Sequence, residues 1–326
     1  MRLWDIYAPE IPPCVRAAWE APAMARIMRV GMNCGCEYTS FPLFARLREG
    51  YSRFDHSVGA ALIVWRFTRD ERQTLAALFH DIATPCFAHV VDFMLGDSMK
   101  QEATEGATAR IIAESIDLQS ALTRMGLTTD DVADYHRFPI ADNDSPRLSS
   151  DRLEYTLGNF VNYRLGSRAQ VREFMDDLIV TQNEDGEAEL AFMHADTARA
   201  FARAALQMGE IYVSPEARFT MHTLSELLRE AIAQGAIADQ DLWGTEDALL
   251  KALCAHPQWR ERWRRFCAYG RIVPAAQGRG HVIYSKKRYI NPLVAGVGRV
   301  TEIDEAFAQA LAAFLNESQD APLDAE

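Results

Sequence analysis

The chain has 326 residues, 48% of them hydrophobic and 25% charged, with a formal net charge of −12. That balance excludes a disordered or fibrous chain, the length exceeds one typical domain of ~100–200 residues, and the negative charge opposes broad attraction to nucleic-acid phosphates. Six cysteines are too few for a disulfide scaffold, and the apolar stretch around Val58 to Phe67 falls far short of the ~20 residues that cross a bilayer. Met1-Arg2-Leu3-Trp4-Asp5 lacks the apolar run of a secretory signal, so a cytoplasmic protein with no membrane span is expected.

Taken in chain order, residues 16 to 30 set Ala18, Trp19, Met24, Ile27, Met28 and Val30 among arginines, which suits helices interrupted near Pro22. Gly31 and Gly35 break that pattern. Cys34-Gly35-Cys36 has no second Cys or His pair to complete a zinc knuckle and reads as core or loop thiols. From Arg53 to Phe67 apolar residues occupy nearly every turn, predicting a helix buried on most sides. Thr68 and Glu71 have the spacing of a capping box for a second helix through Leu75, Leu78 and Phe79, which Pro85 stops. Further helices are expected over Ala88 to Leu95 and Glu105 to Ser115, with loop over 126 to 145. Ser145-Pro146 has the form of an N-cap with proline at the first helical position, which puts Asp151 in the second turn. Residues 168 to 270 alternate helical patterns with polar breaks. His281 to Ser285 and Tyr289-Ile290, flanking a basic turn, are the best strand candidates; Ile303 to Leu315 reads as a closing helix, and the acidic tail after Asn316 as frayed.

Four residues stand out chemically. His80 and Asp81 are adjacent at the end of an apolar helix, where the backbone carbonyls favour a cation. His56 lies 24 positions earlier, a separation two antiparallel helices can close, and Asp151 comes from a third helix. Two imidazoles and two carboxylates suit one divalent ion with open positions for water and a substrate oxygen. As isolated residues they could equally be buried or surface groups, but Asp81 after Ala76-Ala77-Leu78-Phe79 is expensive to bury without a partner or a metal.

The ordered segments Arg53-Phe54-Asp55-His56-Ser57-Val58-Gly59, Leu78-Phe79-His80-Asp81-Ile82, Pro85-x-Phe87-Ala88-His89 and Asp151-Arg152-Leu153-Glu154-Tyr155 resemble the motifs of HD-domain metal-dependent phosphohydrolases. Within that superfamily the resemblance points to the deoxynucleoside triphosphate triphosphohydrolase (dGTPase-like) branch. Ala25-Arg26-Ile27-Met28-Arg29-Val30 is similar to its arginine-rich helix, Asn33-Cys34-Gly35 sits where it has Gln-Leu-Gly, and Ser285 to Leu293 is similar to a segment near its end. The motif-bearing match covers roughly residues 16 to 160.

The resemblance implies a mainly α fold, with an HD-domain core over 1–165, a helical supporting lobe over 166–275 and a small C-terminal strand/helix element with an acidic tail over 276–326. It implies one divalent ion (Mn, Fe, Mg, Zn or Ni) held by His56, His80, Asp81 and Asp151, and a small anionic phosphate substrate, a nucleotide. Arg53 and His89 would face phosphate, Tyr155 would pack near the sugar, and Asn33 and Asn159 would fall at the substrate; a homo-oligomer is also implied. His89 and Asp92 share a helix face, so one can orient the other as acid or base. The plainer readings are a solvated Arg53, a core Tyr155 and a surface His89–Asp92 pair.

The chain also departs from that branch. Ala83-Thr84 replace its Gly-His after the His-Asp pair, its further His-Glu pair falls at Thr104-Glu105 or Gln101-Glu102, and Asn159 stands in place of an aspartate at the sugar 3′-hydroxyl. The alternatives are therefore a phosphomonoesterase or phosphodiesterase of the wider superfamily and a non-catalytic nucleotide-binding protein. A di-iron oxygenase would need more histidines than His89 and His136 between the His-Asp pair and Asp151. Trp259, Trp263 and Phe266 among arginines read as the core face of an amphipathic helix rather than a stacking surface. Lys286-Lys287-Arg288 either reach a nucleotide phosphate from a neighbouring subunit or tip a hairpin.

Overall fold

The computed structural model describes residues 2–47, 50–96, 98–99, 105–275 and 280–326, the side chains of Arg46, Glu105 and Pro274 excepted. Helices dominate, and the strands are few and short, so the fold is mainly α.

The framework of the site is a helical hairpin. Ser52 opens its first arm, Arg53–Thr68, with a capping box: its hydroxyl accepts from the Asp55 N–H while the Asp55 carboxylate accepts from the Ser52 N–H. Residues 53 to 64 of this helix are all buried, as a sequence apolar on every side requires. Arg69, at φ 55°, reverses the chain. The second arm, Glu71–Phe79, is capped by Asp70, which accepts from Arg72 and Gln73, and not by Thr68. Thr68 instead ends the first arm, its hydroxyl donating to the Val64 carbonyl, so the expected capping box at Thr68 does not form. Asp70 wins because its carboxylate reaches two N–H groups of the first turn at once.

The third helix, Ser150–Asn162, packs across Arg53–Thr68. Its N-cap is Ser149, whose hydroxyl accepts from Arg152, so Asp151 lies in the first turn. Ser145-Pro146 falls in the turn ahead of the helix, correcting the expected start. Trp4–Tyr7, Pro13–Trp19 and Pro22–Ile27 cover the hairpin and complete the main core, with Met24, Ile27, Leu62 and Leu78 fully buried.

A second cluster gathers Phe87, Val90 and Val91 with Leu224, Leu228, Trp259 and Phe266 from the helices Pro215–Ala233 and Pro257–Ala268. Trp259 and Phe266 are fully buried, so the arginine-flanked aromatic helix faces the core. The strands lie elsewhere than expected. Leu178–Gln182 and Ala188–Phe192 form an antiparallel hairpin, and Leu293–Val294 joins it in parallel. The segment 282 to 292 is irregular instead of stranded. The tail is held too: Leu323–Ala325 pairs antiparallel with Ile272–Pro274. Chain-wide pairing, invisible in local composition, decides both differences. No helix among the described residues is long and apolar enough to cross a membrane.

Candidate metal centre

The hairpin arms bring His56 and His80 together, with 3.0 Å between their Nε2 atoms. Asp151 Oδ1 lies 3.0 Å from the first and 3.5 Å from the second. Asp81 Oδ2 lies 3.7 and 3.6 Å from the same two nitrogens. Donor atoms bound side by side to one ion at ~2.1 Å are about 3.0 Å apart in an octahedron and about 3.4 Å in a tetrahedron, so the spacings among His56, His80 and Asp151 suit a shared ion, while Asp81 stands slightly farther out, on Arg53 and Thr84.

The outer contacts fix which nitrogen of each ring faces inward. His56 Nδ1 lies 2.6 Å from Glu154 Oε2, and Glu154 itself accepts from the hydroxyls of Tyr51 at 2.7 Å and Tyr7 at 3.3 Å. His80 Nδ1 lies 2.7 Å from the Ala77 carbonyl. With both Nδ1–H groups so engaged, both Nε2 atoms face Asp151 and are the ring nitrogens that would bind an ion in place of a proton, the arrangement metal-binding histidines adopt. Gly59 makes room for Glu154, since a Cβ there would lie 2.6 Å from its Oε1.

Asp81 is held at both oxygens. Arg53 donates to Oδ2 at 3.0 Å and Thr84 to Oδ1 at 2.7 Å. Arg26 clamps the turn that carries it, donating to the carbonyls of Ile82 and Thr84. Burial opposes ionisation of Asp81, but Arg53, His80 and His56 hold its carboxyl well below the usual range. Burial likewise opposes the charged His56 ring and is outweighed by Asp151 and Glu154, which push it up to about 10. The cluster thus draws positive charge to the point where the two Nε2 atoms meet Asp151, and its imidazole and carboxylate donors suit a divalent ion.

The centre opens on a cavity of about 410 Å³. Asn33, Arg53, His89, Tyr155 and Asn159 all line it, together with Tyr135, Tyr163 and Tyr212. His89 Nδ1 is 2.9 Å from Asp92 Oδ2, while Asn159 donates to the Tyr212 hydroxyl at 2.9 Å. Arg53 is buried, not solvated. Gln101, Glu102 and Thr104, which stand where the resembled branch has a further His-Glu pair, lie outside the described residues, as does the side chain of Glu105. Sequence reasoning gave no role to Glu154, Tyr51, Tyr7 or Arg26. Glu154, three positions after Asp151 in the same helix, carried the one available signal: a buried acid one turn from a ligand needs a partner.

No protein-family model matches the chain. It is 25% identical over 265 residues to "Metal-dependent phosphohydrolase cns2" of Cordyceps militaris, covering 76% of this chain and 72% of that protein. It is 24% identical over 209 residues to the "Uncharacterized protein YdhJ" of Bacillus subtilis, which is 63% of this chain and 61% of the Bacillus protein's length. The crystal structure of a hypothetical protein from Aquifex aeolicus is similar over 90% of this chain and 88% of that one, with a TM-score of 0.60 and 16% identity. At that identity the likeness speaks for the fold alone.

Proposed function

We propose that this chain is a metal-dependent phosphohydrolase of the HD-domain type that acts on a nucleotide. The observation that carries the reading is the convergence of two inward Nε2 atoms with Asp151 at the wall of a cavity, beside the Asp81–Arg53 pair. The similarity to the Cordyceps phosphohydrolase supports the reaction class. A divalent ion held by His56, His80, Asp81 and Asp151 supplies Lewis acidity toward a phosphoryl oxygen and makes water more acidic at neutral pH.

The protein's own groups do the rest. Arg53 neutralises Asp81 and offers its planar fork of donors to a phosphate. His89, oriented by Asp92, exchanges a proton with the reacting oxygens. Tyr155 and Tyr212, with ring centroids 6.1 Å apart, form an aromatic wall for the nucleoside, beside the Asn159 amide. Burial pushes the Tyr155 phenol up to about 12, so it remains a hydrogen-bond donor.

The test is a panel of nucleotides incubated with purified protein and Mn²⁺ or Mg²⁺, with every product resolved. Metal-dependent hydrolysis that His80→Ala abolishes is expected, and a panel without any such product overturns the reading. Thr84 prompts a second variant of it. Its hydroxyl donates to Asp81 and cannot exchange a proton near neutral pH, so the histidine that the triphosphohydrolase branch has at this place is missing, and a phosphate monoester is the second candidate substrate. Orthophosphate from a nucleoside monophosphate supports that variant; tripolyphosphate from a deoxynucleoside triphosphate supports the other.

A further inference from the structure

The segment 281 to 292 has almost no regular structure, yet it is fastened at nearly every step. Arg218 donates to the Ile283 carbonyl at 2.6 Å, and Gln319 both accepts from the Ser285 N–H and donates to the Ser285 carbonyl. Lys287 places its ammonium on the carbonyls of Phe314, Leu315 and Glu317, where the helix Glu305–Asn316 ends. The Asn291 N–H donates to the Pro146 carbonyl. Gly209 allows the strap to lie against the helix Ala195–Tyr212, since a Cβ there would stand 2.5 Å from the Arg288 carbonyl. So secured, the strap delivers Arg288 into the cavity, with Nη2 3.2 Å from His89 Nε2.

Only one form of His89 satisfies both of its contacts. A guanidinium can only donate, so Nε2 must present a lone pair. The Asp92 carboxylate, 2.9 Å from Nδ1, accepts, so Nδ1 must carry the proton. An imidazolium or the opposite tautomer would set two donors against each other at Arg288.

We infer that Arg288 is a positioning residue that holds His89 neutral and protonated at Nδ1, so that His89 meets an incoming substrate as a proton acceptor. The kinetic consequence rests on the proposed hydrolase reading; the protonation state of the ring does not. Burial, Arg288 and Arg53 all hold His89 below the ordinary histidine range, against the pull of Asp92. The strap therefore belongs to the catalytic apparatus and is not merely a cover.

The test is a long-range ¹H–¹⁵N spectrum of the full chain labelled on histidine, with Mg²⁺ present and His89 assigned through His89→Gln. The wild-type protein is expected to show Nδ1 protonated and Nε2 bare at neutral pH. Arg288→Ala should let a proton onto Nε2, and Arg288→Lys, which still donates, should restore the bare nitrogen. A wild-type ring already protonated at Nε2, or one unchanged in Arg288→Ala, overturns the inference, and the wild-type spectrum decides even if that variant fails to fold. With a nucleotide that is hydrolysed, Arg288→Ala should also move the acidic limb of kcat/KM to higher pH. If the spectra respond as expected and no nucleotide is hydrolysed, the inference stands and the hydrolase reading falls.

Discussion

Replacing Glu154 tests whether the outer contacts govern the ion. Its Oε2 is 2.6 Å from His56 Nδ1 in a site where both side chains are almost fully buried, so its charge acts with little screening. Glutamine keeps the shape. Its carbonyl oxygen can still accept from His56 and Tyr51, and its amide can face the Tyr7 hydroxyl, which then turns to accept. What is lost is the negative charge that makes the opposite nitrogen a stronger ligand. Loss of such outer partners weakens metal binding by about 10- to 100-fold, or roughly 1.4 to 2.7 kcal/mol. Glu154→Gln should fall near the lower bound. Glu154→Leu, which leaves His56 Nδ1 and two tyrosine hydroxyls without an acceptor, should fall near the upper one. The assay is Mn²⁺ titration by calorimetry with the fold checked by circular dichroism. A Glu154→Gln protein that binds Mn²⁺ within twofold of wild type would refute the reasoning, since the His56–Glu154 contact would then be packing alone.

Metal should also stabilise the fold, by about 2.7 kcal/mol at one hundred times the Kd; a thermal melt with and without chelator reads this, and His80→Ala should abolish the difference. Burial and the neighbouring Glu246 push the Glu37 carboxyl up to about 8. The folded chain then binds more protons than the unfolded one between roughly pH 4.5 and 8, so stability should fall as pH rises through that window. Urea melts at pH 5 and pH 8 should show the loss in wild type and a flatter profile in Glu37→Gln. Ser149→Ala removes the cap of the helix bearing Asp151, and a loss of about 1 kcal/mol is expected in the same melts; an unchanged midpoint would mean that tertiary packing alone fixes that helix start.

The sequence conveys the helices best where one local signal dominates. The apolar run after Arg53, the proline that opens Pro22–Ile27 and the closing helix before Asn316 are all visible there, whereas the second arm ends at Phe79, ahead of the stop expected at Pro85. It misleads where two local candidates compete. Thr68 and Asp70 can each cap the second arm, and Ser145 and Ser149 can each open the third helix; the contest is decided by which side chain the surrounding packing aims at free N–H groups. The strands were misplaced for a related reason. Val282, Ile283 and Tyr284 have strand-forming side chains, but Arg218 and Gln319 take the backbone groups that a ladder would need. Leu323–Ala325 has an unremarkable composition yet finds a partner in Ile272–Pro274.

By itself the sequence determined a mainly helical chain and the order of the imidazole and carboxylate groups along it, because helix periodicity and ligand chemistry belong to the residues themselves. Only the tertiary structure decided what stands behind those groups. Glu154 meets His56 across 98 positions, Tyr7 meets Glu154 across 147, and Arg288 meets His89 across 199. Contacts so distant along the chain leave no local pattern, since nothing in a residue's neighbours records which part of the chain will fold against it.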